Sequence, residues 1–359
     1  MKRPLPKPQV TVVGVLLVGS AACESGEVAQ AAPLYPDCSI AFEETWRLGV
    51  LDGPEELQFA QVVSFDVSER GAVYVLDGVE AAVSVFRSTA EWTRDFGRAG
   101  PGPGELSTPT RIAVAGPRVF VFEAGRNAIT AFDTAGTYLR TEPIPFQPAG
   151  PTFLAADSEH VYLTGRDPTG DVDGPLVWIL DHELTLLRSF GRFSVSDDSL
   201  EATRFAGARI APGRDGVWLT PLLAYDVRLF SLDGEERLQI KRGEDFPFLE
   251  TEITRQEGGR TGLSLQRAMM LGVFEHPGGT IWVSVQDNVD DRRVLDVFSA
   301  GSTWLASVEA AGRTLPWQVA RDGHAYRLTD ENGYPQVIRY GMRTTGECAA
   351  EIELALSAP

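Results

Sequence analysis

The residues best suited to chemistry are acidic and sit in turns. Asp167, Asp171 and Asp173 form one group, Asp287, Asn288, Asp290 and Asp291 a second, and Asp330, Glu331 and Asn332 a third. Clustered carboxylates suit calcium, a hard cation that gathers about six to eight oxygens. Asp171-Val172-Asp173-Gly174 echoes the start of a calcium loop but lacks its remaining positions. Calcium is thus the one cofactor the sequence admits, with Asp167, Asp171 and Asp173 as candidate ligands. Turns that simply carry water are the alternative.

Other chemistries find little support. The four histidines are His160, His182, His276 and His324. Three of them, at 160, 276 and 324, occupy equivalent turns of separate repeats, too far apart to share a metal. No Gly-x-Ser-x-Gly elbow and no Ser/His/Asp set is present. The cysteines, at 23, 38 and 348, lie near the ends. Gly100 to Gly104 lacks the Lys-Ser/Thr of a phosphate loop. No catalytic residue is therefore assigned. Asp66, Arg111, Arg209 and Gln318 are the polar residues on or near strands that face a common axis. Arg111, Arg209 and Gln318, with Arg126, are the ligand-binding candidates. A channel that is merely wet is the alternative.

These residues are positioned by a repeat. One phrase recurs six times: a small or β-branched residue, an aromatic, and further apolar residues before a turn. The copies centre on Tyr74, Phe120, Tyr162, Trp218, Trp282 and Tyr326. Each precedes a second apolar strand ending at Phe86, Phe132, Leu180, Phe230, Phe298 or Tyr340. A period of roughly 40–50 residues marks an array of supersecondary units. Alternation broken by Gly, Pro and Asp turns predicts four antiparallel strands per unit. Such a small sheet hides little surface alone, so units stack, and a closed stack is a β-propeller. The expected fold is all-β: a six-bladed β-propeller of four-stranded antiparallel blades. Inner strands are expected near 62–66, 111–115, 152–156, 208–211, 271–274 and 317–320. The last unit lacks a fourth strand, and Ile40 to Leu48 has no unit of its own. The N-terminal strand is therefore expected to complete the last blade and leave no edge open. The repeated aromatics are expected to be inter-blade core.

Phe96-Gly97-Arg98-Ala99-Gly100-Pro101-Gly102-Pro103-Gly104-Glu105-Leu106, followed by Pro109 and Ile112-Ala113-Val114, resembles the inter-blade signature of NHL-type six-bladed propellers. Arg126-Asn127-Ala128-Ile129 and Phe132-Asp133 are similar to the second half of that family's repeat, and Gly53-Pro54-Glu55-Glu56-Leu57 is a weaker linker copy. The resemblance is sharp over about 45–140 and only patterned afterwards. It implies that ligands dock on the face carrying the linkers and the turns between second and third strands. Those turns lengthen in units 3, 5 and 6. Residues 243–270 break the pattern, being richer in helix formers, and are expected as an insertion between blades 4 and 5 with a short capping helix. Ser194 to Arg204 is a smaller insertion.

The start of the chain reads as an export signal over residues 1–22: basic Lys2, Arg3 and Lys7, then the apolar run Val10 to Val18, then small residues before Cys23. Gly-Ser-Ala-Ala-Cys resembles a bacterial lipobox, with Ser20 where Leu is usual. Lipidation of Cys23 is the favoured expectation and ordinary signal-peptidase cleavage the alternative. Residues 23–37 are expected as a flexible tether, 38–348 as the propeller, and 349–359 as a C-terminal tail. Exported chains meet oxidising conditions, so with Cys23 lipidated, Cys38 and Cys348 are expected to pair. Two free thiols are the alternative. The pairing would close a very long loop, worth a few kcal/mol.

Charge narrows the partners. The net charge of −18 becomes −21 once residues 1–22 and their three basic residues are removed. That excess disfavours nucleic acid and anionic membranes, leaving the membrane reachable only through a lipid anchor. The expected role is an exported cell-envelope lipoprotein, periplasmic or on the outer membrane, or a secreted protein. It would act as a ligand- or protein-binding module presenting its loop face to a protein, peptide or glycan. The alternative is a calcium-dependent lactonase-like hydrolase or lyase with its site at the central channel. That site would need converging Glu, Asn and Asp, for which Asp66 and Gln318 are the nearest residues.

Overall fold

A computed structural model describes residues 28–30, 32–144, 146, 152–165, 175–191, 207–222, 224–242, 253–255, 261–263, 268–276, 278–287, 291–312 and 314–356. The chain opens with β1 (Val28–Gln30) and β2 (Ser39–Leu48). Blade I follows with β3 (Val62–Val67), β4 (Val73–Asp77), β5 (Ala82–Phe86) and β6 (Trp92–Phe96). Blade II holds β7 (Pro109–Ala115), β8 (Arg118–Glu123), β9 (Ala128–Asp133) and β10 (Tyr138–Pro143). Blade III holds β11 (Phe153–Ala156), β12 (His160–Thr164), β13 (Val177–Asp181) and β14 (Leu186–Phe190). Blade IV holds β15 (Ala208–Gly213), β16 (Gly216–Pro221), β17 (Asp226–Phe230) and β18 (Glu236–Arg242). A separate hairpin, β19 (Ile253–Arg255) and β20 (Thr261–Leu263), precedes blade V. Blade V holds β21 (Ala268–Glu275), β22 (Ile281–Asp287), β23 (Arg292–Phe298) and β24 (Trp304–Ala311). Blade VI holds β25 (Gln318–Val319), β26 (Ala325–Thr329) and β27 (Gln336–Thr345), and helix α1 (Ala349–Leu356) follows.

Every blade is an antiparallel meander with its first strand innermost. Six such sheets in a ring make a six-bladed β-propeller. The outermost strand of the sheet containing β25, β26 and β27 is β2, which pairs with β27 from Ser39 opposite Thr345 to Leu48 opposite Val337. Cys38 and Cys348 flank that pairing and are joined by a disulfide.

The repeated aromatics pack between blades. Tyr74, Phe120, Tyr162, Trp218, Trp282 and Tyr326 are all buried, as are the anchors that close the third strands. Burying one such ring removes about 150–250 Å² from water, so these positions dominate the core. The polar residue that ends a second strand ties down the chain entering its blade. Asp77 Oδ2 accepts the N–H groups of Ala60 (2.7 Å) and Gln61 (3.0 Å). Glu123 likewise accepts from the Ser107 N–H (2.6 Å), and Thr164 Oγ1 from the Phe153 N–H (3.2 Å). Gly97 and Gly104 hold φ of +82° and +75° in the linker, a region that suits glycine.

Three expectations meet a different structure. The 243–270 insertion was expected to carry a helix; its described parts are the β19–β20 hairpin and the start of β21. Backbone pairing across the hairpin satisfies the local N–H and C=O groups in place of helical bonds. Within the 23–37 segment expected as a tether, β1 pairs in parallel with β18, adding a fifth strand to blade IV. Leu34 and Tyr35 then donate to the carbonyls of Trp304 and Leu305 on blade V. The expected tail holds α1, whose Ile352 is buried against the blade V–VI core. The 1–22 segment, Cys23 and the 194–204 insertion lie outside the described residues.

Candidate functional site

The six inner strands enclose a central channel with a cavity of about 400 Å³. All run in the same sense, so each face of the ring gathers equivalent strand ends. On the face where the inner strands begin lie Arg111, Phe153, Arg209, Trp317 and Gln318. Toward the other face lie Asp66, Ala156 and Arg321. The first face is also the one reached by the inter-blade linkers and the turns between second and third strands.

The two arginines set the character of that mouth. The Arg111 guanidinium sits 4.9 Å from the centroid of Phe153, and that of Arg209 sits 4.5 Å from the same centroid. Arg209 also lies 5.9 Å from the Trp317 ring. Each is fixed by one backbone carbonyl: Arg111 Nη1 donates to Thr110 (2.7 Å) and Arg209 Nε to Met270 (3.2 Å). Neither forms an ion pair with any described carboxylate. Burial, and then the charge of Arg111, push Arg209 down to about 9; burial alone lowers Arg111. At about 9, Arg209 keeps its charge at neutral pH, as arginine side chains in proteins generally do.

Asp66 serves a different purpose. One oxygen accepts the Val114 N–H (2.7 Å) and the other the Val67 N–H (2.8 Å), so the carboxylate joins blade I to blade II. Burial pushes it up to about 6 against the opposing pull of these bonds and of Arg321. With both oxygens engaged by backbone donors, Asp66 is a poor base and a poor metal ligand. Ser64 makes a parallel link, accepting from the Ile112 N–H (3.3 Å). Arg321 donates to the Ala156 carbonyl across the channel (2.8 Å).

The structure thus brings Arg111, Arg209 and Gln318 to one channel and places Arg126 elsewhere. Arg126 is held by Glu123, with Nη2 2.6 Å from Oε2, and also donates to the Glu105 carbonyl (2.6 Å). It fastens the Gly-rich linker to blade II. Asp167, Asp171 and Asp173 lie outside the described residues. Among the described residues no group of three His, Cys, Asp or Glu is placed to hold a metal. The described acidic turns are spread among arginines of their own blades, as Asp287 with Arg292 (3.3 Å) and Glu331 with Arg327 (3.4 Å). Sequence reasoning missed Phe153, Trp317 and Arg321, because nothing in one strand reveals which residue it meets across the axis.

No protein-family model matches the chain, and no curated protein matches it in sequence. Solved structures do. A member of the DUF4221 family from Bacteroides vulgatus aligns at TM-score 0.59 and 8% identity, over 86% of this chain and 99% of that one. A candidate exported protein from Bacteroides fragilis aligns at TM-score 0.56 and 10% identity, over 89% and 99%. A structural-genomics protein of unknown function from Bacteroides thetaiotaomicron aligns at TM-score 0.53 and 10% identity, over 85% and 76%. At such identities the likeness concerns the fold, and the chain shares with them the six-bladed propeller.

Proposed function

We propose that the protein is an exported, envelope-associated binding module of NHL-like type that takes a small ligand into its central channel. The observation that carries this reading is the channel mouth: two half-buried arginines without acidic partners among the described residues, beside Phe153 and Trp317, over a cavity of about 400 Å³. That volume falls in the ~300–1,000 Å³ range of small-molecule sites. Perturbed, uncompensated charges in a cavity are a mark of function, because folding alone gives no reason to keep them. Export is supported by the basic and apolar start of the chain and by the Cys38–Cys348 bond, which suits an oxidising compartment. The bacterial lipobox likeness at Cys23 supports a lipid anchor. No helix among the described residues is long and apolar enough to cross a membrane.

The reading is tested by thermal-shift screening of small molecules against the wild type and against Ala155→Phe, which narrows the channel from blade III. Ligands that stabilise the wild type and fail on the narrowed variant support the channel. Ligands that shift both proteins equally place the site elsewhere and overturn it.

A further inference from the structure

We propose that the ligand is an organic carboxylate, its head held between Arg111 and Arg209 and its apolar body lying against Trp317 and down the channel. This rests on the channel reading above and names the chemistry of its occupant.

The first argument is electrostatic. Two like charges on one ring, half withdrawn from bulk water, repel each other and lose part of their hydration. The rest of the chain is strongly acidic, at −18 overall, yet no described carboxylate turns toward this pair. Arg242, by contrast, pairs with Asp296, Arg126 with Glu123 and Arg228 with Asp226. Arg111 and Arg209 face the cavity without such a partner among the described residues. An anion bound there relieves both costs together.

The second argument is donor geometry. One bond to Thr110 engages a single Nη1 hydrogen of Arg111, and one bond to Met270 engages Nε of Arg209. The Nη2 group of Arg111 and both Nη groups of Arg209 keep their donors for a ligand. A guanidinium offers a planar fork that matches a carboxylate edge to edge. The ring of Phe153 and the carbonyl bonds hold the forks in place before any ligand arrives.

The third argument is the lining. Next to the arginines the wall is apolar, with Trp317, Leu271, Ile112 and Leu154. Inorganic phosphate would leave that wall unused, whereas a carboxylate with a hydrocarbon or ring body covers it. Gln318 adds an amide at the same level for a polar group on the body.

The test uses the purified full chain, calorimetry and thermal shift. The probes are acetate, hexanoate, phenylacetate and indole-3-acetate, their neutral amides, and inorganic phosphate and sulfate. The proposal expects affinity to rise from acetate to the larger carboxylates, with each amide at least ~10-fold weaker than its acid, the scale of a lost charge-assisted bond. Arg111→Met and Arg209→Met each weaken the acids ~10-fold or more while the ligand-free Tm does not fall. Arg209→Lys restores part of the affinity. Acids and amides binding alike, phosphate binding as tightly as the best acid, or Met variants binding like the wild type would each overturn the carboxylate assignment and leave the channel reading standing. No shift from any ligand, here or in the wider screen, overturns both.

Discussion

Arg111 and Arg209 belong to blades II and IV yet press on one ring, Phe153 of the blade between them. Their repulsion is a cost of the ligand-free fold. Replacing either with methionine keeps the hydrocarbon contact and removes the charge, so Tm should stay level or rise. A buried charge cluster exchanged for apolar side chains is often neutral or gains about 1–4 kcal/mol. Differential scanning calorimetry of Arg209→Met decides the matter, and a fall of several degrees would mean the guanidinium braces the ring instead.

Asp66 should give acid stability rather than acid lability. Its folded-state pKa of about 6 lies above the ordinary value of 3.8, so between those values the folded state holds a proton that the unfolded state has released. Stability then falls as pH rises from about 4 to about 6, on the order of 2–3 kcal/mol for this group alone. Asp66→Asn should flatten that slope in urea melts taken at pH 4, 5, 6 and 7. An unchanged slope would remove Asp66 from the account.

The Glu123–Arg126 pair should respond unequally to its two deletions. Glu123 is fully enclosed, while Arg126 is about a quarter exposed. Arg126→Ala strands a buried carboxylate and should cost about 3–5 kcal/mol. Glu123→Gln strands only a guanidinium that reaches water, and an acceptor remains for the Ser107 N–H, so about 1–3 kcal/mol is expected. Equal losses in chemical denaturation would contradict the burial argument.

The Cys38–Cys348 bond spans a sequence separation of 310 residues. Breaking a native disulfide typically costs about 2–5 kcal/mol. Cys38→Ser with Cys348→Ser should lower Tm correspondingly, and hydrogen exchange should quicken first along β2 and β27. Uniform quickening around the ring would show that the pairing of these strands has no special role.

Much of the ring was legible because it is periodic. Tyr74, Phe120 and their four counterparts repeat a local pattern whose burial follows from spacing, and the glycines of the 96–106 linker announce a turn by type alone. The paired ends followed from counting: a blade short of one strand and a strand short of a blade. The candidate site was legible only residue by residue. Arg111, Arg209 and Gln318 stood out as polar side chains on strands that should be apolar, but their meeting at Phe153 depends on contacts between blades. Arg126 looked the same in sequence, and only Glu123, three residues away, shows its charge to be spent within the blade. A second repeat also escaped notice. Arg94, Arg140 and Arg188 occupy equivalent outer-strand positions and donate to the carbonyls of Thr134, Glu183 and Leu232 in the following blades. Single arginines among polar neighbours carry no periodic signal strong enough to register.

The course of the chain before blade I has a mechanical meaning. From β1 on blade IV, through Leu34 and Tyr35 on blade V, to β2 in blade VI, the first described residues lie as a strap along three successive rims. A pull on the amino end loads these contacts one after another, like a zip opened from its free tab. In single-molecule stretching the strap should peel at low force, three residues of ladder at a time scale of their own, and halt where sulfur joins sulfur. The propeller would then hang from residue 38 with its blades intact, freed to turn on a leash of about ten more residues.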